Sequence, residues 1–324
     1  MRHQVIPIAV LGVEVSKQRK RQAPKGRRVD SSALAEVQRL LGNESRQRDL
    51  LIEHLHKIQD SFGHLSAAHL AALAQEMRLA QTEVFEVASF YHHFDIVKEG
   101  AAAPPALTVR VCDGLSCEMA GAGDLLARLP RLLGKEVRVI AAPCIGRCEQ
   151  APVVAVGQSP VPNASCDTVV AKVAANATRH PPEGHIDYAG YQSQGGYALL
   201  KECASGARDV ESVIKTLEDS GLRGLGGAGF PSGRKWRIVR AEAAPRLMAV
   251  NIDEGEPGTF KDRVLLERDP HRFLEGMLIA AWAVGIARIY IYLRDEYHGC
   301  RALLETELEK LKAHPPIAAM PEII

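Results

Sequence analysis

The sequence predicts an α/β protein in which a small helical bundle is followed by two α/β units. Apolar residues recur at helical spacing between residues 31 and 94, for example at Leu51, Leu55 and Ile58. Beyond the bundle, short apolar strand patterns alternate with helical patterns, which indicates sheets covered by helices. A cysteine quartet and a glycine-rich loop then mark one functional region in each α/β unit.

Composition excludes several classes of protein. The chain has 324 residues, of which 46% are hydrophobic, so it is long enough for two or three cores. Its 40 basic and 39 acidic residues nearly cancel, so neither a nucleic acid nor an anionic membrane is expected as a partner. Seven cysteines without dense, even spacing favour a reducing compartment, and we expect the cytoplasm. No apolar stretch reaches the ~18 residues that a membrane-spanning helix needs.

Four segments are expected along the chain. The basic run Lys17–Arg28 lacks interleaved aromatic residues and predicts a solvated leader. The Gly/Pro/Tyr-rich stretch 180–196 predicts a linker or an extended wrap. The predicted segments are a basic arm (1–30), a helical bundle with the first α/β unit (31–178), a linker (179–200) and the second α/β unit (201–324).

Two cysteine pairs begin where predicted strands end. The strands are Leu107–Val111 and Val137–Ala141, and the ligand candidates that follow them are Cys112, Cys117, Cys144 and Cys148. Strand-end loops can direct four thiolates at one centre, and thiolates bind zinc or iron–sulfur clusters. The wide, uneven spacing favours an iron–sulfur cluster, with a zinc site or unrelated buried thiols as alternatives. The remaining cysteines match no metal motif and are expected to be buried thiols: Cys166, Cys203 and Cys300.

A glycine-rich loop precedes a helical pattern in the second α/β unit. Its glycines include Gly224, Gly226, Gly227 and Gly229. Glycine lets backbone amides approach a phosphate closely, and Lys235 could add a positive charge. The spacing matches neither the dinucleotide fingerprint nor a Walker loop, so a flexible loop without a ligand is an alternative.

Three carboxylates follow the next predicted strand, Leu247–Ile252. Asp253, Glu254 and Glu256 lie at its carboxyl end, where parallel sheets bind ligands. Their charge suits the hydroxyls of a ribose or ribityl chain. A calcium loop or an acidic helix N-terminus is the alternative.

Taken together, these motifs resemble two subunits of respiratory complex I. The segment Ser89–Phe94 with the cysteine quartet resembles the thioredoxin-like [2Fe-2S] subunit. The glycine loop, Asn251–Gly258 and Tyr290–Tyr297 resemble the NADH-oxidising flavoprotein subunit. The likeness runs from about residue 45 to the end.

Fusion of both subunits in one chain resembles the diaphorase (beta) subunit of soluble NAD-dependent formate dehydrogenases, and also that of NAD-reducing hydrogenases. Asp295 stands where the complex I pattern has Gly, and the sequence Arg294-Asp-Glu-Tyr-His-Gly-Cys300 resembles the formate dehydrogenase branch most. The first unit is therefore expected to be thioredoxin-like and the second to be part of an FMN/NADH-binding domain.

The resemblance also implies cofactors and site residues. It implies a [2Fe-2S] cluster on the quartet, with FMN and NAD in the second α/β unit. Residues implied around FMN are Gly224, Gly226, Gly227, Lys235, Asn251, Asp253 and Glu254, with Tyr292 and Glu296 at a second strand end. Phe230 is implied to stack on the NADH adenine and Glu256 to face the dinucleotide. No side chain is implied as an acid or base, since FMN performs the hydride transfer.

The implied function is electron transfer between NAD and iron–sulfur centres. Implied partners are an iron–sulfur catalytic subunit that contains molybdenum or tungsten, and a small [2Fe-2S] subunit. The family's flavoprotein continues past the point equivalent to Ile324, so a [4Fe-4S] site is expected only in that further part. A non-catalytic, zinc-binding interaction module is the alternative from another class.

Overall fold

The computed structural model describes residues 26–179, 184–225 and 227–324. The predicted basic arm up to residue 25 and the candidate site residue Gly226 lie outside these ranges. Contacts divide the chain into two compact units, with the boundary between Pro104 and Pro105.

The first unit is the predicted helical bundle. Its helices are α1 (Ser31–Leu41), α2 (Leu51–Phe62), α3 (Ala67–Met77) and α4 (Gln81–Phe90). Two short strands, β1 (Leu65–Ser66) and β2 (Ile96–Val97), pair in parallel. The apolar positions at helical spacing form the core, which includes Val37, Leu55, Ile58, Leu73 and Val84.

The ends of these helices follow from local sequence. Asp30 accepts a hydrogen bond from the N–H of Ala33 at 2.9 Å and caps α1. Ser66 accepts from the N–H of His69 at 3.0 Å and caps α3 in the same way. Gly63 ends α2 with φ of +73°, a conformation that glycine adopts without steric cost.

The second unit begins with a four-stranded mixed sheet. Its elements are β3 (Leu107–Cys112), α5 (Leu115–Met119), α6 (Ala122–Leu133), β4 (Val137–Ala142), β5 (Val154–Val156), β6 (Ser159–Val161) and α7 (Cys166–Ala174). The strand order is β4-β3-β5-β6, with β3 and β4 parallel and the other pairs antiparallel. Cys112 is in register with Ala142, so the carboxyl ends of β3 and β4 meet at one edge.

Helices cover this sheet and bury its apolar residues. α6 packs on β3 and β4, and α7 packs on β5. The core contains Val109, Val111, Leu129, Val154 and Val169, each fully buried. The sheet is therefore a rigid base for the loops that carry the cysteines.

A parallel three-stranded sheet organises the rest of the unit. The helices are α8 (Tyr188–Ser193), α9 (Ala198–Ser205), α10 (Val210–Asp219), α11 (Ser232–Ala241), α12 (Lys261–Arg268), α13 (Pro270–Val284) and α14 (His298–Ala313). The strands β7 (Arg246–Ile252), β8 (Ile286–Leu293) and β9 (Glu322–Ile323) pair in parallel, which confirms the predicted parallel sheet. Within the described ranges, no helix has the length and apolar character needed to cross a bilayer.

The predicted linker, in contrast, contains helix α8 and is anchored in the core. Tyr188 and Tyr191 are buried. The hydroxyl of Tyr191 donates to the buried carboxylate of Glu275 at 2.5 Å, and the N–H of Tyr188 donates to Glu307 at 3.1 Å. Residues 184–200 of this stretch therefore pack their aromatic side chains into the core, and the predicted boundary between the two α/β units stays a prediction.

Glu307 is the centre of a buried polar network. Its carboxylate accepts from His271 at 2.7 Å, from His185 at 3.2 Å and from Lys310 at 2.8 Å. Burial alone would raise the pKa of Glu307, but these hydrogen bonds lower it to about 2. The carboxylate therefore stays ionised inside the protein.

Candidate functional site

The four candidate cysteines converge at the edge where β3 and β4 end. Sγ of Cys144 lies 3.4 Å from Sγ of Cys148. Cys112 is within hydrogen-bonding contact of both Cys117 and Cys144. Three of the four are buried, and Cys148 is partly buried. The two strand-end loops therefore form one sulfur-lined site.

Backbone amides point at these sulfur atoms. The N–H groups of Gly114 and Ile145 donate to Cys112, and the N–H of Gly146 donates to Cys144. The N–H of Gly258 donates to Sγ of Cys148 at 3.2 Å. Amide hydrogen bonds of this kind stabilise thiolates and help set the potential of an iron–sulfur cluster.

The pKa values of three of these thiols are shifted from the usual cysteine value. A hydrogen bond from Cys144 lowers the pKa of Cys112. The same bond, together with burial, raises the pKa of Cys144, and burial raises that of Cys148. Metals bind cysteine as the thiolate, so iron bound at this site would displace the protons that these sulfur atoms hold.

The residues present therefore fit a sulfur-ligated cluster. The four soft donors form a chain of contacts in the order Cys117, Cys112, Cys144, Cys148, amides point at them, and a small residue lies beside them. A Cβ at Gly114 would lie 3.3 Å from Cβ of Cys144 and 3.5 Å from Sγ of Cys112, so glycine leaves room beside the sulfur atoms. The other cysteines, Cys166, Cys203 and Cys300, are buried free thiols, which confirms that prediction.

A hydrogen bond joins the two ends of the glycine loop, and two glycines between them face open space. The N–H of Gly224 donates to the carbonyl of Phe230 at 3.0 Å, and Gly227 and Gly229 have φ of +111° and +59°. A Cβ at Gly227 or Gly229 would meet no atom within 4 Å, so these backbones face open space. The loop leads into α11, where Lys235 is exposed in the first turn. This arrangement suits a phosphate.

Phe230 lies at the end of this loop. Its ring is 42% exposed, and the guanidinium carbon of Arg234 lies 5.7 Å from the ring centroid. An exposed aromatic face next to a cation is suited to stacking on a base.

The three predicted carboxylates divide into two kinds. Asp253 and Glu256 are exposed, whereas Glu254 is only 3% exposed. Glu254 accepts from the N–H of Asp262 at 3.0 Å and from the N–H of Arg263 at 3.3 Å, at the start of α12. For Glu254 this geometry matches the alternative interpretation, an acidic helix N-terminus, and its carboxylate faces inward.

Glu254 has two further partners. The hydroxyl of Tyr297 donates to it at 3.0 Å, and Nζ of Lys261 lies 3.5 Å away. Burial would raise the pKa of Glu254, but the N–H groups of α12 and the Tyr297 hydroxyl hold it below its usual value.

The remaining predicted residues lie where β7 and β8 end. Asn251 and Tyr292 are in register on neighbouring parallel strands, and both are exposed. Oδ1 of Asn251 accepts from the N–H of Asp253 at 2.9 Å and fixes the turn. Glu296 follows β8 and is held by Arg294 at 2.9 Å. These residues lie at the carboxyl end of the parallel sheet, which is where such sheets bind ligands.

The sequence did not predict which residues join the ends of β7 and β8 to the cysteine loop. Gly258, Arg263, Arg294 and Tyr297 all contact the segment Cys144–Cys148. Arg294 and Tyr297 belong to a motif that the sequence singles out, but the signal for their role is weak, because polar residues after a strand are common.

Two protein-family models match the chain in this order. The thioredoxin-like [2Fe-2S] ferredoxin matches residues 37–176, and the Nuo51 FMN-binding domain matches residues 217–322. The chain therefore contains a thioredoxin-like [2Fe-2S] domain followed by an FMN-binding domain, which confirms the predicted pair of domains and their two cofactors.

Two known proteins are similar to most of the chain. It is 32% identical over 308 residues to the NAD-reducing hydrogenase HoxS subunit alpha of Cupriavidus necator, which covers 82% of this chain and 49% of that subunit. It is 30% identical, with a TM-score of 0.68, to a chain of the crystal structure of an NAD+-reducing [NiFe]-hydrogenase in the air-oxidized state, covering 85% of this chain and 51% of that one.

A further relative is similar over a shorter stretch. The chain is 39% identical over 140 residues to the mitochondrial NADH-ubiquinone oxidoreductase 51 kDa subunit of Neurospora crassa, covering 42% of this chain and 27% of that protein. The chain thus spans about half or less of the length of these relatives. None of the three is named as a formate dehydrogenase.

Proposed function

We propose that the chain is a diaphorase subunit of an NAD-linked oxidoreductase, which passes electrons between NAD and iron–sulfur centres by way of FMN. One observation carries the proposal. The N–H of Gly258, in the acidic turn of the FMN-binding domain, donates to Sγ of Cys148 at 3.2 Å. The turn assigned to the flavin and the loop assigned to the cluster are then in direct contact, which brings the two cofactor sites close together.

The residues of the glycine loop and strand ends divide the task of holding the cofactors. Amides of the loop and Lys235 bind the FMN phosphate, while Asn251 and Asp253 bind hydroxyls of its ribityl chain. Glu254 supports this turn from inside the protein through α12. The cluster ligands are Cys112, Cys117, Cys144 and Cys148.

A second group of residues binds NAD. The exposed ring of Phe230 stacks on the adenine, and Glu256 faces the dinucleotide. Tyr292 and Glu296 line the other strand end. When bound, FMN supplies the hydride acceptor and the conversion from two-electron to one-electron chemistry, and the cluster carries one electron. The side chains orient and bind, and none is assigned as a proton donor or acceptor.

For the electron source we propose formate. The motif Arg294–Tyr297 followed by His298-Gly-Cys300 supports this branch. Partners are then a molybdenum- or tungsten-containing iron–sulfur subunit and a small [2Fe-2S] subunit. Hydrogen is the second candidate, favoured by the 32% identity to a hydrogenase subunit. The sparse, uneven spacing of the seven cysteines supports a cytoplasmic location.

The test is NAD reduction by the intact assembly. The chain is purified with its native partners through a tag, and NADH formation is followed by its near-ultraviolet absorption with formate or with hydrogen as the donor. Reduction with formate alone supports the first candidate, and reduction with hydrogen alone replaces it with the second. An assembly that also fails to transfer electrons from NADH to ferricyanide would contradict the diaphorase itself.

A matched pair of variants tests the roles of two charged residues. Glu256→Gln is expected to raise the KM for NADH about tenfold while leaving FMN content unchanged, because it removes one charged hydrogen bond. Lys235→Met is expected to lower FMN content instead. If both variants lost NADH affinity and FMN content to the same extent, these residues would only support the fold.

A further inference from the structure

Hydrogen bonds fasten the cysteine loop Cys144–Cys148 to the FMN-binding domain, one of them from Nη2 of Arg147 to the carboxylate of Glu267 at 2.6 Å. Nη2 of Arg294 donates to the carbonyl oxygen of Cys144. Nε of Arg263 donates to the carbonyl of Gly146 at 3.1 Å. The N–H of Gly258 donates to Sγ of Cys148 at 3.2 Å. The loop that carries two of the four cysteines is thus held by groups outside its own domain.

Arg294 also binds the acidic turn after β7 and the carboxylate of Glu296. Its Nη1 donates to the carbonyl of Glu254 at 2.5 Å. Its Nε and Nη2 donate to the carboxylate of Glu296 at 2.9 and 3.2 Å. One planar guanidinium therefore binds the cysteine loop, the acidic turn and the end of β8 at once, which a flexible ammonium could not reproduce.

The charge of Arg294 is poorly screened by water. Arg294 is 6% exposed, whereas the side chain of its partner Glu296 is 36% exposed. Water therefore weakens the field of Glu296 more than that of Arg294. Arg263 differs, because its partners Glu149 and Glu267, the second of them shared with Arg147, are less exposed than Glu296, at 28% and 22%. Of these two buried arginines, Arg294 is the one whose field at Cys144 is less compensated.

We propose, resting on the diaphorase function above, that Arg294 is a positioning residue for the [2Fe-2S] cluster: it fixes the Cys144–Cys148 loop and makes the cluster easier to reduce. Reduction adds one negative charge to the site, and a buried cation beside a ligand residue stabilises that state. Neutralising Arg294 also leaves Glu296 without its counter-charge, which shifts the potential in the same direction.

The experiment measures the midpoint potential of the cluster in the full chain, by EPR during a stepwise dithionite titration. Arg294→Met is expected to lower the ratio of reduced to oxidised cluster about tenfold at the wild-type midpoint, which is a shift of about 59 mV for one electron. Arg294→Lys keeps the charge and is expected to stay within about twofold of the wild-type ratio. The control is Arg301→Met, which removes an exposed arginine paired with Glu305; its midpoint is expected to equal that of the wild type.

Several outcomes would overturn the proposal. One is an unchanged midpoint potential in an Arg294→Met variant that keeps its cluster. Another is an equal shift of the midpoint potential in Arg294→Met and Arg294→Lys, because the charge of Arg294 would then not be the cause. If Arg294→Met does not retain the cluster, hydrogen exchange of the Arg294→Lys variant tests the positioning role instead. Loss of the planar fork is expected to speed exchange of the amides at residues 144–148 at least fivefold, and unchanged exchange overturns the proposal.

The wild-type spectrum separates this proposal from the function on which it rests. A wild-type chain without iron contradicts the diaphorase function. A wild-type chain with a cluster whose potential does not respond to Arg294 contradicts only the role of Arg294.

Discussion

Replacing Glu254 by Gln is expected to destabilise the second unit, although the family resemblance places this residue around FMN. Its carboxylate accepts hydrogen bonds from two N–H groups of α12 and from the Tyr297 hydroxyl. Hydrogen bonds to a charged group contribute about 1.5–3 kcal/mol, against about 1 kcal/mol for neutral ones, and a charge at a helix N-terminus adds about 0.3–1 kcal/mol. Because the amide retains part of this network, we expect a loss of about 2–3 kcal/mol.

Thermal unfolding of the full chain, followed by circular dichroism, measures this loss. A loss of this size lowers the Tm by about 5–10 °C for a domain of about 200 residues. Glu256→Gln is the matched control, because Glu256 is exposed two residues away, and it is expected to change stability by less than about 0.5 kcal/mol. Wild-type stability in Glu254→Gln, combined with loss of FMN, would show that Glu254 is a direct FMN ligand and not a support of α12.

Three further predictions concern the cysteine site and the buried network. Cys144→Ser is expected to bleach the visible absorption of the cluster, whereas Cys166→Ser leaves it intact; equal spectra would contradict the ligand assignment. Gly146→Ala is expected to cost about 2–4 kcal/mol in urea unfolding, because φ is +73° and the new Cβ overlaps the ring of Tyr297; an unchanged midpoint argues against this packing. Glu307, whose pKa falls from 4.5 to about 2 on folding, stabilises the protein above pH 4.5, and this contribution of about 3 kcal/mol is lost as the pH falls towards 2. Glu307→Gln should therefore flatten the acid limb of the stability curve, and a wild-type slope would exclude Glu307 as its source.

Local signals explain why the cysteine site could be predicted. Each pair follows a short apolar strand, and parallel neighbouring strands bring their carboxyl ends together. The glycine loop and the acidic turn could be located in the same way, since each lies next to a recognisable strand or helix.

The inward-facing residues could not be predicted. Whether Glu254 faces a ligand or a helix depends on where α12 packs, and the sequence shows only that acids precede that helix. Arg294 contacts Cys144, which is 150 residues away along the chain. Arginine is rarely buried, so its expected place is the surface. The burial of Tyr188 and Tyr191 could not be predicted either, because it depends on Glu275 and Glu307, which lie about 80–120 residues further on.

Iron and sulfide analysis of the purified chain, combined with EPR of the dithionite-reduced sample, shows whether the cysteine quartet holds a redox-active cluster. We expect about two irons and two sulfides per chain and the signal of a reduced [2Fe-2S] cluster. A colourless protein with about one zinc and no signal would contradict this expectation, because four sulfur atoms would then hold a redox-inactive ion.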